Sequence, residues 1–432
     1  MRTLILFLFA VSAIVAAPVP KQVTFHKDVL PVLQKNCQSC HRPGEAAPMS
    51  FLTYKSTRPF AKAIKEAAST RRMPPWHADP HFGKFSNDKS MTQAEIDTLT
   101  AWADTGAKEG NPKDAPKAVS FLDGWNIGTP DKLLEMPKPF TVPAQGTVEY
   151  TYYIMPLGNK EDVWVERAEV RPGNRAVLHH VIAFIRPPGS RWLKDAKPGE
   201  PFVPPVTINA RGQEQRESAF GGQWLTAYAP GMPPQILEPG KARLVPAGSD
   251  IVMQMHYTAN GKEQTDASKI GIIYAKQAPK EQVLTLAVQN SRFEIPPHAA
   301  NHEVKAELVL HEDAKLSALM PHMHLRGKDF EYRATYPTGE SEILLRVPRY
   351  DFSWQLIYEP AGEKILPKGT KLQAIAHFDN SANNKANPDA TKAVRFGEQS
   401  WEEMMIGFFD VAVKPGTTER DLLAPKKKTS GD

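Results

Sequence analysis

Three groups of residues in this 432-residue chain have the types and spacing that chemistry requires. The first is Cys37-Gln38-Ser39-Cys40-His41, which holds the only two cysteines of the sequence. Two thiols separated by two residues, with a histidine directly after them, form the attachment pattern of c-type haem. The thiols add to the vinyl groups of the macrocycle and the imidazole ligates the iron. A redox-active cysteine pair or half of a zinc site would use the same residues, but a zinc site needs a second cysteine pair that this sequence lacks. A sixth iron ligand has to come from the same segment. Met73, in Arg72-Met73-Pro74-Pro75-Trp76, is the first choice, because the prolines force extended backbone that can lay a thioether against a haem face. His77, His81 and Met49 are the other candidates.

The second group is His179-His180 together with His256, which lies in Gln254-Met255-His256-Tyr257. Adjacent strand residues face opposite ways, so His179 and His180 can serve one metal only where a strand ends or bulges. Read alone, His256 is as well explained as a hydrogen-bonded strand histidine. If it points toward a metal, Met253 and Met255 point away from it. The third group is His322-Met323-His324, which places two imidazoles at i and i+2, on one strand face, where they can converge on one metal. A remote methionine would complete a soft site suited to cuprous copper. Met404, in Trp401-Glu402-Glu403-Met404-Met405, is the candidate, with a plain core role as the alternative. His377 is a weaker candidate for the neighbourhood of the third group, and His298, His302 and His311 read as surface or turn residues.

The elements that must position these groups differ along the chain. Before the cysteine motif, Phe25, Val29, Val32 and Leu33 repeat at helical spacing, although Pro31 makes the helix start near Asp28 or bend. A second helix is expected from Pro59 to Ser69. A third is expected from the Thr92 to Glu95 capping box to about Gly106, with Ile96, Leu99 and Trp102 as its stripe. From about residue 118 the texture changes to short β-branched and aromatic runs between turn residues, as in Val148 to Tyr153, Val163 to Val170 and Ile251 to Tyr257, the pattern of a β-sandwich or jelly roll. A stretch near Asn290 to His298 reads as a joint between two such modules. The expected fold is therefore multidomain: a small all-α cytochrome c domain over 22–112, then two all-β jelly-roll or β-sandwich modules over 119–290 and 291–414, and a polar tail over 415–432.

Bulk properties bound the setting. Met1-Arg2-Thr3 leads into an apolar run to Val15 and then Ala16-Ala17-Pro18, the layout of a secretory signal peptide over residues 1–17. A retained N-terminal anchor is the alternative. No later apolar run is long enough to cross a bilayer, so no stable membrane insertion is expected after cleavage. The expected location is periplasmic or secreted. The net charge of +5 is a mild excess over this length and points to no nucleic-acid partner. The 39 prolines favour strands and loops over helices.

Taken in order, His-His, Gln-x-His-Tyr, His-x-His and Glu-Met over residues 119–414 resemble the copper type II ascorbate-dependent monooxygenases, the family of peptide α-hydroxylating and dopamine β-hydroxylating enzymes. The resemblance implies two copper ions: an electron-transfer copper on His179, His180 and His256, and a catalytic copper on His322, His324 and Met404. Gln254 and Tyr257 also match the family pattern near the first copper. The resemblance further implies that the two ions face each other across a solvent-filled cleft. It implies that O₂ is reduced at the second copper and a substrate C–H bond is hydroxylated. Peptide-hydroxylating members grip a terminal carboxylate with an Arg two residues before His-x-His and with an Asn and a Tyr two and four residues after the methionine ligand. Those positions are Met320, Ile406 and Phe408 here, so a non-peptide small-molecule substrate is expected. The haem is expected to pass electrons to the first copper, drawing them from an external donor. The alternatives are a non-catalytic electron carrier or copper-binding protein, and an oxidase or reductase of a small inorganic molecule.

Overall fold

The computed structural model describes residues 22–45, 47–121, 124–208, 214–215 and 221–424. The expected signal peptide over 1–17 and residues 425–432 of the polar tail, including Lys426-Lys427-Lys428, lie outside the described residues. The chain divides into two compact units. One comprises the N-terminal part up to Pro74 together with Met91–Val119, and the other comprises Pro75–Ser90 together with everything from Ser120 onward.

The first unit carries four short helices: α1 at Leu30–Asn36, α2 at Tyr54–Thr57, α3 at Ala61–Ser69 and α4 at Gln93–Asp104. A π-helical turn at Phe25–Val29 leads into α1, and Pro31 sits in the first turn of α1, where its missing N–H costs nothing. Phe25, Val29, Leu33, Ile64, Leu99 and Trp102 make the shared core. Thr92 caps α4: its hydroxyl accepts the Glu95 N–H at 3.3 Å, and the Glu95 carboxylate accepts the Thr92 N–H at 2.8 Å. The same carboxylate accepts from Lys35 Nζ at 2.8 Å and from Asn36 Nδ2 at 3.3 Å, tying α1 to α4.

The expected fold class needs correction. The chain is mostly β-sheet with about 12% helix, and its helices are few and short, so a small all-α cytochrome c domain is not present. The longest helix of the first unit has 12 residues and the others 7, 4 and 9. Long irregular stretches separate them, and residues 75–90 leave this unit altogether for the β unit. Proline explains much of this, since Pro43, Pro48, Pro74, Pro75 and Pro80 all fall between the helices, where each removes a backbone donor.

The second unit is built on three main sheets. A long mixed sheet takes, in spatial order, the strands Lys132–Glu135, Lys269–Tyr274, Val163–Arg171, Lys241–Val245, Glu281–Asn290, Met405–Val413, Ala314–His322 and Lys364–Leu366. A four-stranded sheet of Thr151–Pro156, Asp250–Tyr257, Leu178–Arg186 and Gln223–Tyr228 packs on its first half, through Met155, Val181, Met253 and Met255 against Val165, Val170, Ile270 and Ile272. Another, of His302–Val309, Lys371–Phe378, Gly327–Thr335 and Ser341–Val347, packs on its second half, through Phe330, Tyr332, Ala374 and Phe378 against Leu286, Leu316, Phe409 and Val411. The result is two sandwiches that share one sheet. That sheet runs through the expected joint near residue 290, where Glu281–Asn290 pairs along its length with Met405–Val413. Inside the shared sheet, Arg243 donates to Asp410 at 2.6 Å and to Thr285 Oγ1 at 3.0 Å, a buried ion pair with its hydrogen bonds satisfied. No helix among the described residues is long and apolar enough to cross a membrane.

Two stability predictions follow from these contacts. Asp410→Ala leaves a buried guanidinium without its counter-charge and is expected to cost about 3–5 kcal/mol in denaturant unfolding, whereas Thr92→Ala is expected to cost about 1 kcal/mol. In Glu95, partial burial opposes the charge, but the bonds from Lys35, Thr92 and Asn36 outweigh it and bring the carboxyl down to about 2. Its contribution is therefore full above the ordinary carboxyl range near 4.5 and is lost as pH falls from there toward about 2. Glu95→Gln should flatten the acid limb of the first unit's stability profile in that window; an unchanged limb would refute the assignment.

Candidate metal centre

Strand alternation settles which face of Asp250–Tyr257 carries His256. Ile251, Met253, Met255 and Tyr257 enter the sandwich core, so Gln254 and His256 project from the opposite face. Across the ladder, His256 pairs with His180 while Tyr257 pairs with Leu178, so His179 is the extra residue of a β-bulge. The bulge removes the alternation that would send His179 and His180 to opposite faces. All three imidazoles then converge. Their ligand nitrogens lie within 4.8 Å of one another, with His179 Nδ1 to His180 Nδ1 at 3.1 Å and His256 Nδ1 to His180 Nδ1 at 3.3 Å. Nitrogens about 2.0 Å from one ion at near-tetrahedral angles stand roughly 3.3 Å apart, so this set fits a single metal ion. Among the described residues it is the one group of three or more His, Cys, Asp or Glu side chains gathered in this way.

Tyr150 backs the set, with its ring 4.7 Å from that of His256 and its hydroxyl 3.5 Å from His180 Nε2. Gln254, buried on the same face, donates to the Tyr152 hydroxyl at 2.7 Å. Tyr257 does not join them: it lies in the core on the other face and donates to Asp266 at 3.0 Å.

His322 ends the strand Ala314–His322 and is paired with Ile406. His324 follows it two residues on, while Met323 between them is buried in the core. The two rings stand 5.3 Å apart, nearly perpendicular. The Glu403 carboxylate holds this turn by accepting the N–H of His324 at 2.8 Å and that of Arg326 at 2.6 Å. Gln355 Oε1 accepts from His322 Nδ1 at 2.7 Å, and the Glu402 carbonyl lies 3.3 Å from His324 Nδ1. With both Nδ1 atoms engaged, Nε2 is the ligand nitrogen each ring offers. Met404 is buried in an apolar cluster with Met320, Ile406 and Phe408, and it lines one cavity with His322, Gln355 and His180.

Burial lowers the pKa of every one of these histidines. His256 falls to about 3, with His179 and His322 adding to the effect, and His322 falls to about 4, opposed by its bond to Gln355. His180 and His324 are lowered well below their ordinary value by burial and by the neighbouring imidazoles. At neutral pH all are neutral, the form that binds metal.

In the first unit, Cys37 and Cys40 are free thiols, and the His41 ring stacks on Phe51 at 4.2 Å. Desolvation pushes the Cys37 thiol up to about 12, with Cys40 and Glu95 contributing. Both thiols and the following imidazole remain available as the donor set of the Cys37-Gln38-Ser39-Cys40-His41 motif. Met73 lies half-buried in this unit, and Met49 packs against its core. His77 and His81 belong to the second unit, where His77 bonds the Arg349 carbonyl at 2.9 Å and His81 bonds Asp79 at 2.7 Å. His377 sits on the strand Lys371–Phe378 and bonds Asp329 at 2.7 Å. Gln355 and Tyr150 carry no sequence signal as supporting residues, because each reaches its histidine across the fold, whereas Glu403 stands in the Glu-Met pattern beside Met404.

No family model matches this chain, and no curated protein matches it. Among solved structures, PNGF-II aligns at 11% identity over 66% of this chain and 65% of that one, with a TM-score of 0.29. The VP2 subviral particle of infectious bursal disease virus aligns at 8% identity over 67% and 72%, with a TM-score of 0.19. The chain thus spans just under two thirds of the PNGF-II structure, and likeness at this level carries no argument about fold or activity.

Gln355→Leu tests the support of the second set. It is expected to weaken metal binding there about 10-fold or more while leaving the tri-histidine set unchanged, read by chelator competition on each site. Equal weakening of both sets would contradict the assignment.

Proposed function

We propose that this chain is an exported haem- and copper-dependent oxidoreductase that hydroxylates a C–H bond of a small, uncharged substrate, similar to the copper type II ascorbate-dependent monooxygenases. The observation that carries this reading is the convergence of His179, His180 and His256 through a β-bulge, beside a second imidazole pair of which His322 lines a cavity with Met404. Three nitrogens in one set, and two nitrogens with a thioether in the other, are the donors by which a protein tunes two copper ions to different work. Copper bound at the second set would supply one-electron chemistry with O₂. The net reaction takes substrate, O₂, two electrons and two protons to the alcohol and water.

The chain's own side chains account for the rest. Gln355 fixes the tautomer of His322, so Nε2 stays available. Glu403 keeps His324 in register with Met404. Met320, Ile406, Phe408 and Trp224 form an apolar wall beside Met404 that excludes water and offers no cation to a substrate carboxylate. This wall supports a non-peptide substrate. Cys37, Cys40 and His41, with Met73 as a further ligand, would hold a haem that supplies electrons, and the continuity of the chain would keep that donor at high local concentration. The cellular location consistent with this chemistry is the periplasm or the exterior.

Anaerobic reduction of the copper- and haem-loaded protein, followed by ¹⁸O₂ and a periplasmic metabolite extract, is expected to yield a product carrying one ¹⁸O atom. His324→Ala should abolish that product while leaving the haem absorption spectrum unchanged. Oxygen consumption without a labelled product would favour an oxidase. Neither consumption nor product would favour a non-catalytic electron carrier. Rapid mixing of reduced haem with oxidised copper should show intramolecular electron transfer; its absence would remove the haem from the reading.

A further inference from the structure

The resemblance that names two copper sites implies a solvent-filled cleft between them, yet one side chain touches both histidine sets. The Phe352 ring stacks on His179, with centroids 5.2 Å apart and planes 19° apart, and meets His324 edge to face at 5.9 Å and 85°. The two imidazoles therefore lie within about 11 Å of each other through a single ring, each contact in the range of ordinary aromatic pairing.

The turn that carries Phe352 is fastened on both sides. Before it, the Tyr350 hydroxyl accepts the Met323 N–H at 3.0 Å and donates to the Met323 carbonyl at 2.9 Å, bonding the residue between His322 and His324. After it, Gln355 accepts from His322. Asp351 closes the turn by accepting the N–H of Ser353 at 2.9 Å through its side chain and that of Trp354 at 2.9 Å through its carbonyl. Phe352 thus moves with the His322–His324 set and presses on a histidine of the other sandwich.

We propose that Phe352 is a positioning residue that sets the separation and the electronic contact between the two metal-binding sets. This rests on reading both sets as copper sites. With copper bound, His179, His180 and His256 would hold the ion that gives up one electron, passing from cuprous to cupric, and His322, His324 and Met404 would hold the ion that receives it. No bond forms or breaks, and an external one-electron donor restores the first ion.

The test uses the full-length, haem-loaded protein with cupric copper at both sites. Electron paramagnetic resonance should show a half-field transition from a close copper pair. After substoichiometric reduction, freeze-quench spectra should show electron redistribution between the two sites slowed about tenfold or more in Phe352→Leu and kept within about twofold in Phe352→Tyr, with two copper ions per chain in each. A merely structural role would be met equally by leucine. Two isolated cupric signals in the unaltered protein, or wild-type transfer in Phe352→Leu, would overturn the proposal. Binding of fewer than two ions would overturn it together with the copper reading. Coupled copper without hydroxylated product would sink the hydroxylase reading and leave the role of Phe352 standing.

Discussion

The register between Ala314–His322 and Met405–Val413 is the constraint on which the placement of His322, His324 and Met404 depends. It pairs His322 with Ile406, and just beyond the strand ends the buried Glu403 carboxylate takes two backbone N–H groups from the His324–Arg326 turn. Those bonds bring a thioether and two imidazoles, 80 or more residues apart in sequence, to one end of one sheet. A slip of one residue would send Met404 into the core and Met405 out of it, since successive side chains face opposite ways. The register is protected from below by the Arg243, Thr285 and Asp410 network, which crosses from one half of the shared sheet to the other.

A second constraint is desolvation. Five imidazoles under protein cover would be unfavourable if charged, and they avoid this by remaining neutral at physiological pH. Neutral imidazoles are the form that binds a metal cation, and Met404 lies in a buried apolar cluster with Met320, Ile406 and Phe408. The segment Pro75–Ser90 adds rigidity behind this site. Trp76 packs on Tyr358 at 4.9 Å, and Asn87 exchanges hydrogen bonds with Ile357 and Glu359, next to the turn that holds Phe352 and Gln355.

Much of this was legible in the sequence for local reasons. Strand periodicity assigned the faces of Met253, Met255 and His256, and the i, i+2 spacing assigned those of His322 and His324. The need for a bulge at His179-His180 could be stated from the sequence, but the bulge depends on how many residues oppose it on the partner strand. The capping box at Thr92 was legible because it spans one helical turn. The first unit departs from the all-α expectation because its helices are short and proline-rich stretches separate them, one of which joins the other unit. Phe352 and Gln355 carry no local signature: an aromatic and an amide meet the histidines only through the contacts that folding brings to them.

The central claim is that the two histidine sets hold two copper ions in chemically different sites. X-ray absorption on the reduced, copper-loaded full-length protein tests it most directly. Two copper ions per chain are expected, with nitrogen scattering at both and sulfur scattering from one, the sulfur contribution lost in Met404→Leu and the nitrogen-only site unaffected. A single bound ion, or sulfur scattering that survives Met404→Leu, would contradict it.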